Sequence, residues 1–98
     1  MTSFFVTRHP GAVAWAIEEG FAVDESLVHL DVNRIKPGDQ VFGTLPVHLV
    51  AQVCASGARY FHLTLELPAE QRGRELSVDE MRCYGAKLEA YEVRKIDD

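Results

Sequence analysis

The chain has 98 residues, of which 47% are hydrophobic and 26% charged, and its formal net charge is −5. This length supports one hydrophobic core, so we predict a single domain over residues 1–98. The acidic balance argues against a protein that coats long DNA or RNA, and no apolar run approaches the roughly 20 residues that a membrane span requires.

The first predicted unit is a strand followed by a helix. Residues 4–6 form a short apolar run, and residues 12–17 form a strongly apolar helix-like segment. Pro10 suits the first helical turn, because its missing N–H would have no partner there. Arg8 and His9 therefore stand at the corner between this strand and its helix.

The sequence LVHLD, residues 27–31, predicts the second strand, and a proline-glycine-aspartate turn at residues 37–39 introduces the third, residues 40–44. Residues 32–39 are few for a helical crossover. The second and third strands are therefore either joined by a helical turn or antiparallel.

The third strand leads into a second strand-to-helix corner through residues 44–46, and this helix ends at Gly57. His48 is predicted to point away from the core. The buried stripe has the i, i+3, i+4, i+7 spacing of one helix face: Val47, Val50, Ala51 and Cys54.

RYFHLTLEL, residues 59–67, is the strongest strand pattern, and its near-continuous apolar character predicts that both faces are covered. Ser77 and Glu80 then form a capping box at the start of a third helix. Residues 91–96 are the predicted last strand. The third helix is predicted to bury one stripe of side chains, with a glycine on the same face: Met81, Tyr84, Gly85 and Leu88.

Five strands and three helices in this order predict an α/β fold, a single Rossmann-like three-layer domain with a mostly parallel sheet. Ligands of such sheets bind beyond the carboxyl ends of the strands, where neighbouring crossovers leave in opposite directions. We expect the first and third strands to end there. The helix around Trp15 is apolar on nearly every face, which predicts a subunit interface.

The two corners carry side chains suited to an anion. Arg8 can donate a pair of hydrogen bonds, Thr7 and Thr44 add hydroxyl groups, and His9 and His48 can donate or accept a proton. The amide groups of both helix N-termini add partial positive charge. We predict a site for a phosphate-like anion, against the alternative that these side chains only cap carbonyl groups or face solvent.

Arg72 and Arg74 flank a glycine just before the third helix. If the loop after the fourth strand folds over the same edge of the sheet, these arginines clamp a second phosphate or approach a partner subunit. The alternative is a solvated loop.

Several other kinds of site have no support in the sequence. GxGxxG and GxxxxGK[ST] are both missing, and so are the HxH and HExxH spacings of metal sites, so we expect neither a metal nor a cofactor. His29 and His62 are predicted to be packed or hydrogen-bonded core residues. Cys54 and Cys83 are predicted to be buried, reduced thiols. MTSFFVTRHP is unlike a signal peptide, which favours a cytoplasmic protein.

Three stretches of the chain resemble the small CRISPR-associated family called Csx-sixteen: FVTRHPGAVAW, PGDQVFGTLPVHLVAQVCASGARYFHLTLELP and RGRELSVDEM. These stretches occur in the order of the family, and the resemblance covers essentially the whole chain. One departure is Val50, where the family's corner motif reads GTLPVHLA. The resemblance implies a fold related to the CARF-like sensors of cyclic oligoadenylates and a homodimer. It also implies a ring nuclease that linearises cyclic tetra-adenylate and so switches off type III antiviral signalling.

The physical expectation for such an enzyme is a metal-independent attack of the ribose 2′-hydroxyl on the adjacent phosphorus. The expected catalytic residues are Arg8, His9 and His48. The expected ligand-binding residues are Thr7, Gly11, Thr44, Leu45, Pro46, Arg72 and Arg74. One alternative is a protein that binds the cyclic oligoadenylate without cutting it, as a sponge or sensor, and a weaker one is a structural accessory of the interference complex.

Overall fold

Strands and helices alternate along the part of the chain that the structure, a computed structural model, describes, which is residues 1–97. The elements are β1 (Ser3–Val6), α1 (Pro10–Glu18), β2 (Glu25–Leu27), a first 3₁₀ turn (Val32–Arg34), β3 (Gln40–Gly43), α2 (Val47–Ala55), β4 (Arg59–Thr64), a second 3₁₀ turn (Ala69–Gln71), α3 (Val78–Cys83) and β5 (Lys87–Tyr91).

The five strands form one sheet in the order β2-β1-β3-β4-β5. The pairs β1–β2, β1–β3 and β3–β4 are parallel, and only β5 runs antiparallel to its neighbour. The chain leaves β1 toward one edge of the sheet and β3 toward the other. The predicted switch point between the first and third strands is therefore confirmed.

Helices cover both faces of the sheet. On one face, α1 and α3 contact each other and share a buried cluster: Phe5, Ala12, Trp15, Ala16, Phe42, Leu63 and Met81. On the other face, α2 and the first 3₁₀ turn enclose a second cluster: Phe4, Val6, Ile35, Val41, Val50, Val53, Ala58 and Tyr60. The predicted three-layer, Rossmann-like α/β architecture is confirmed.

Trp15 belongs to the first of these clusters. Its side chain is only 2% exposed, and its ring centroid lies 6.3 Å from that of Phe21. Trp15 therefore takes no part in a surface interface. The apolar side chain that α1 does expose is Ile17.

The second strand ends earlier than its sequence pattern predicts. β2 pairs with β1 only up to Leu27, which lies opposite Val6, the last residue of β1. Because an edge strand has one neighbour, it cannot extend beyond the end of that neighbour. The prediction of a strand over residues 27–31 is therefore wrong, and so is the core position predicted for His29, which is exposed. Of the two connections left open, the structure has the helical turn and not the antiparallel pair.

The third helix is shorter than predicted because it ends in a Schellman motif at Gly85. The Gly85 N–H bonds the carbonyl of Arg82 at 3.1 Å, and the Ala86 N–H bonds that of Met81 at 3.0 Å. The φ angle of Gly85 is 72°, which other residues rarely adopt. The predicted helical stripe through Leu88 and the predicted last strand over residues 91–96 are both wrong, because β5 begins directly after this cap.

The capping box at the start of α3 is confirmed. The Glu80 N–H donates to the Ser77 hydroxyl at 3.1 Å, and the Ser77 N–H donates to the Glu80 carboxylate at 3.1 Å. Two reciprocal bonds of this kind satisfy amide groups that a short helix cannot pair internally.

The buried face of α2 is rotated from the predicted stripe. Val50 and Val53 are buried, whereas Val47 is 68% exposed. His48 is exposed, as predicted. Cys54 is half-buried and Cys83 is exposed, so the prediction that both thiols are buried is wrong for Cys83 and only partly met by Cys54. Within residues 1–97, no helix has the length and apolar character needed to cross a membrane.

Candidate functional site

The two strand-to-helix corners converge at the carboxyl ends of β1 and β3. Val6 and Gly43 lie opposite each other in the parallel pairing. A Cβ atom on Gly43 would lie 2.8 Å from the carbonyl oxygen of Val6, which is closer than real Cβ contacts allow. Glycine at this position therefore brings the two corners together, and Thr7 and Thr44 follow side by side.

A cavity of about 210 Å³ opens where the corners meet the loop between β4 and α3. Its walls are mainly apolar: Phe5, Leu63, Leu65, Leu67, Leu76 and Met81. Its main polar side chains are Thr7, His9, Thr44 and Arg74. Because most of these polar residues are exposed while the deepest apolar ones are buried, the polar groups stand at the mouth.

His9 is held at this mouth by two contacts. Its backbone N–H donates to the Thr7 hydroxyl at 3.1 Å, and its ring Nδ1 is hydrogen-bonded to the carboxylate of Glu75. A carboxylate on Nδ1 fixes the orientation of an imidazole and leaves Nε2 as the acceptor of the neutral ring. Glu75 was not predictable from the sequence, because it stands 66 residues from His9 and no local pattern links the two residues.

Arg74 also stands at the mouth, because the loop after β4 folds over this edge of the sheet. Its guanidinium group donates to the side chains of Gln71 and Glu80. Arg74 is thereby tied to the capping box of α3. Arg72 is exposed in the same loop, and within residues 1–97 it does not line the cavity. The structure therefore brings Arg74, but not Arg72, to the corners.

Arg8 lies in an adjacent cleft on the outer side of the first corner. This cleft shares Thr7 and His9 with the cavity and is completed by apolar residues of α1 and the segment after β2, including Val13 and Val28. Arg8 and Arg74 thus flank the first corner on its two sides.

His48 is the predicted site residue that the structure places elsewhere. It lines a groove between α2 and the segment after β5, together with Val47, Arg94 and Lys95. The reason is the rotation of α2 about its axis: His48 lies on the face of this helix that is turned toward residues 92–95 and away from the cavity. Within one chain, His48 therefore does not join His9 at the cavity.

Three further residues of the predicted site shape the two corners and do not line the cavity: Gly11, Leu45 and Pro46. A methyl group on Gly11 would overlap the carbonyl oxygen of Leu76, so glycine lets the segment before α3 cross the first turn of α1. Leu45 packs into the cluster on the opposite face of the sheet. Pro46 is the N-cap residue of α2.

Both helix N-termini at this edge keep their amide groups without side-chain caps. Among the described residues, no side chain caps α1 or α2, and neither first turn carries an acidic residue. An uncapped N-terminus stabilises an anion through its N–H groups and its partial positive charge. This feature agrees with the predicted preference for a phosphate-like ligand.

Tyr60 fixes the second corner from inside the protein. Its hydroxyl lies 2.9 Å from the Gly43 carbonyl oxygen, 3.0 Å from the Leu45 nitrogen and 2.6 Å from His62 Nδ1. A hydroxyl has one proton and two acceptor sites, so it donates to Gly43 and accepts from Leu45 and His62. Burial raises the pKa of Tyr60 and keeps the hydroxyl protonated. The predicted hydrogen bond of His62 is confirmed, but its predicted core position is not, because His62 is half-buried and belongs to neither core cluster. The role of Tyr60 was missed.

The described residues 1–97 contain no group of three or more His, Cys, Asp or Glu side chains placed to hold a metal ion. The polar side chains at the cavity mouth include hydroxyl groups, one imidazole and one guanidinium. Groups of these kinds can bind anions and can donate or accept protons.

A family model described as "Putative CRISPR-associated protein (Cas_VVA1548)" matches residues 4–94. Comparison with curated proteins and with solved structures gave no match. The matched region includes both corners, the loop over the cavity and all five strands. The chain therefore belongs to the Cas_VVA1548 family of CRISPR-associated proteins.

Proposed function

We propose that this protein is a type III CRISPR accessory ring nuclease that binds a cyclic oligoadenylate and linearises it, with cyclic tetra-adenylate as the substrate. One observation carries the proposal: a cavity with apolar walls, whose polar mouth includes hydroxyl groups, one imidazole and one guanidinium, lies at the switch point between β1 and β3. Membership of a CRISPR-associated family supports the biological setting. The resemblance to Csx-sixteen supports the choice of messenger, a cytoplasmic location and a fold related to CARF-like sensors.

Two arginines at this edge can donate hydrogen bonds to phosphate, although the charge of Arg74 is shared with the Glu80 carboxylate. Arg8 lies on one side of the first corner and Arg74 on the other. The whole chain carries a formal charge of −5, so binding depends on this local arrangement. The amide groups of α1 and α2 and the hydroxyl groups of Thr7 and Thr44 complete the set.

The proposed reaction uses the substrate's own nucleophile. His9 accepts the proton of a ribose 2′-hydroxyl through Nε2, and the oxygen attacks the adjacent phosphorus. The bond from phosphorus to the 5′-oxygen breaks, and that oxygen takes a proton from water. The hydroxide ion that remains takes the proton held by His9, which restores the neutral imidazole. The products are linear adenylates with a 2′,3′-cyclic phosphate and a 5′-hydroxyl. A positioned general base typically contributes about 10² to 10⁴ in rate.

Glu75 has a supporting role in this scheme. Its carboxylate bonds Nδ1 of His9, which orients the ring and stabilises the imidazolium ion that forms after proton transfer. Arg8 and Arg74 balance the charge that develops on the phosphoryl oxygens. We assign no step to His48, because it lies in the groove beside α2.

A homodimer is part of the proposal. The cavity of one chain, about 210 Å³, is too small to hold a whole cyclic tetranucleotide. The messenger has phosphates related by rotation, so a two-fold dimer presents two copies of one corner to equivalent parts of the ring.

The second candidate function is binding without cleavage, as a sponge or sensor. The observation that favours it is the presence of a single histidine at the cavity mouth in the described part of the chain, with His48 elsewhere. Binding needs only the arginines, hydroxyl groups and amide groups of the site.

One experiment separates the two functions. The protein is mixed with a large excess of cyclic tetra-adenylate, and linear product is followed by chromatography. Product in excess of the protein concentration supports the enzyme and excludes a pure sponge. Tight binding with no product would contradict the enzyme. The His9→Ala variant is the test of the site, and His29→Ala, which changes an exposed histidine outside the cavity, is the matched control.

A further inference from the structure

The walls of the cavity have a different chemistry from its mouth. Phe5, Leu63 and Met81 form the buried part, and Leu65 and Leu67 extend it toward solvent along the loop after β4. A phosphate placed among these side chains would lose its hydration with no compensating hydrogen bonds, which strongly disfavours a charged group there. The apolar interior therefore suits an uncharged, flat group.

The size of the cavity limits what that group is. Pockets for drug-sized ligands occupy roughly 300–1,000 Å³, whereas this one has about 210 Å³. It accommodates one ring system, not a nucleotide chain. We infer that the cavity holds one nucleobase of the ligand, a purine, while the phosphates of that nucleotide lie outside, between Arg8 and Arg74. The inference rests on the proposed function for the identity of the base as adenine.

Two backbone features of the loop between β4 and α3 form this cavity at one edge of the sheet. Gly73, with a φ angle of 83°, turns the loop back over the ends of the strands. Leu76 then crosses the first turn of α1 at Gly11, which closes the far side of the cavity. Among the residues that the structure describes, the only polar side chains near the interior are those at the mouth, so the edge of the base meets Thr7 and Thr44 there.

A purine is favoured over a pyrimidine because it buries more apolar and aromatic surface in the same slot. The gain scales with the buried area, and each 1.4 kcal/mol of difference corresponds to about a tenfold change in affinity. We expect adenosine monophosphate to bind at least about tenfold more tightly than uridine monophosphate.

The test is a methyl-detected NMR titration of the full chain with three probes: adenosine monophosphate, uridine monophosphate and inorganic phosphate. The expected result is that the adenine nucleotide shifts the methyl signals of Leu65, Leu67 and Met81 with saturation, and that phosphate shifts none of them. Equal affinity for both nucleotides, or no shift of these methyl groups with the adenine nucleotide, would overturn the inference.

A pair of variants locates the effect. Leu67→Asn places an amide in the half-buried wall of the cavity, and we expect it to weaken binding of adenosine monophosphate about tenfold. Val47→Asn makes the same kind of change on the exposed face of α2 and is expected to leave binding unchanged. If both variants bind like the original chain, the base lies elsewhere.

The turnover experiment keeps this inference distinct from the proposed function. Cleavage of cyclic tetra-adenylate without any shift at the cavity methyl groups would leave the ring nuclease standing and remove the base slot. Shifts at the cavity with adenosine monophosphate, but neither binding nor cleavage of the cyclic messenger, would support the base slot and contradict the ring nuclease.

Discussion

The hydroxyl group of Tyr60 donates a 2.9 Å hydrogen bond to the carbonyl oxygen of Gly43, the last residue of β3. The same hydroxyl accepts the N–H of Leu45, two residues further along the second corner. One buried side chain on β4 therefore fixes the backbone on both sides of Thr44. Since Thr44 lines the cavity, the shape of the site depends on a residue that does not itself line it.

Tyr60→Phe is expected to lower the free energy of unfolding by about 1–3 kcal/mol, because the ring stays while the buried partners of the hydroxyl lose their hydrogen bonds. Urea denaturation measures this change. Tyr91→Phe, which removes a hydroxyl from a residue that is exposed, is the matched control and is expected to change little. Equal stability of Tyr60→Phe and the original chain would mean that the network does not hold the corner.

Arg8→Ala is expected to weaken binding of cyclic tetra-adenylate by roughly 10- to 100-fold, the range for a lost hydrogen bond to a charged group. Calorimetry or equilibrium dialysis with the uncleaved messenger measures the affinity. Arg94→Ala removes the same charge from the groove beside α2 and serves as the control. Normal affinity in the Arg8 variant would show that the first corner does not contact phosphate.

His9→Ala is expected to lower turnover by about 10² to 10⁴ with little loss of affinity, since a general base acts on the reaction and not on ground-state binding. Glu75→Gln is expected to give a smaller loss of turnover than His9→Ala, because an amide orients the ring but does not stabilise the imidazolium ion. Single-turnover rates measure both effects.

His48→Ala distinguishes the two sites at which histidines lie. The groove beside α2 is separate from the cavity, so turnover is expected to stay at the level of the original chain. A loss as large as that of His9→Ala would place catalysis in the α2 groove or require a second chain to bring His48 to the cavity.

The buried carboxylate of Asp39 is expected to make stability depend on pH. Hydrogen bonds from the backbone N–H groups of Lys36 and Thr2, both 2.9 Å, lower the pKa of Asp39 from 3.8. A lowered folded-state pKa adds stability above the unfolded-state pKa, and this stability is lost as the pH falls through the folded-state value. Urea midpoints should therefore be level above about pH 5 and fall below pH 3.8.

Asp39→Asn is the control for this pH dependence. Each oxygen of the Asp39 carboxylate accepts one backbone N–H, whereas asparagine has only one oxygen that can accept. The variant should therefore be less stable at neutral pH. It should also lose less stability on acidification. An identical acid-induced loss in the variant and the original chain would contradict the role of Asp39.

The first corner and the layered fold were predictable because their signals are local. Pro10 marks a helix start on its own, and the alternation of apolar runs gives the order of elements. The end of β2 was not predictable, since it depends on where its neighbour β1 stops at Val6. The end of α3 depends on the positive φ angle of Gly85. The apolar stripe that continues to Leu88 predicted a longer helix, because the sequence does not show whether a glycine adopts a positive φ angle.

The only residues of the candidate site that could be predicted from the sequence are those that closely follow a strand. Thr7, His9 and Thr44 follow directly from strands whose ends meet, so topology alone brings them together. Glu75 comes to His9 across 66 positions, and Tyr60 reaches Gly43 across 17. Contacts at such separations leave no periodic trace. The prediction that His48 lies at the cavity is wrong, because the direction of its side chain depends on how α2 is rotated about its axis.

The most direct measurement is a crystal structure with a 2′-deoxy analogue of cyclic tetra-adenylate, which lacks the attacking hydroxyl. We expect a phosphate near the first corner between Arg8 and Arg74, with the 2′ carbon facing His9 and an adenine in the cavity. A ring bound in the groove beside α2 near His48, or one that leaves the cavity of both chains empty, would contradict it.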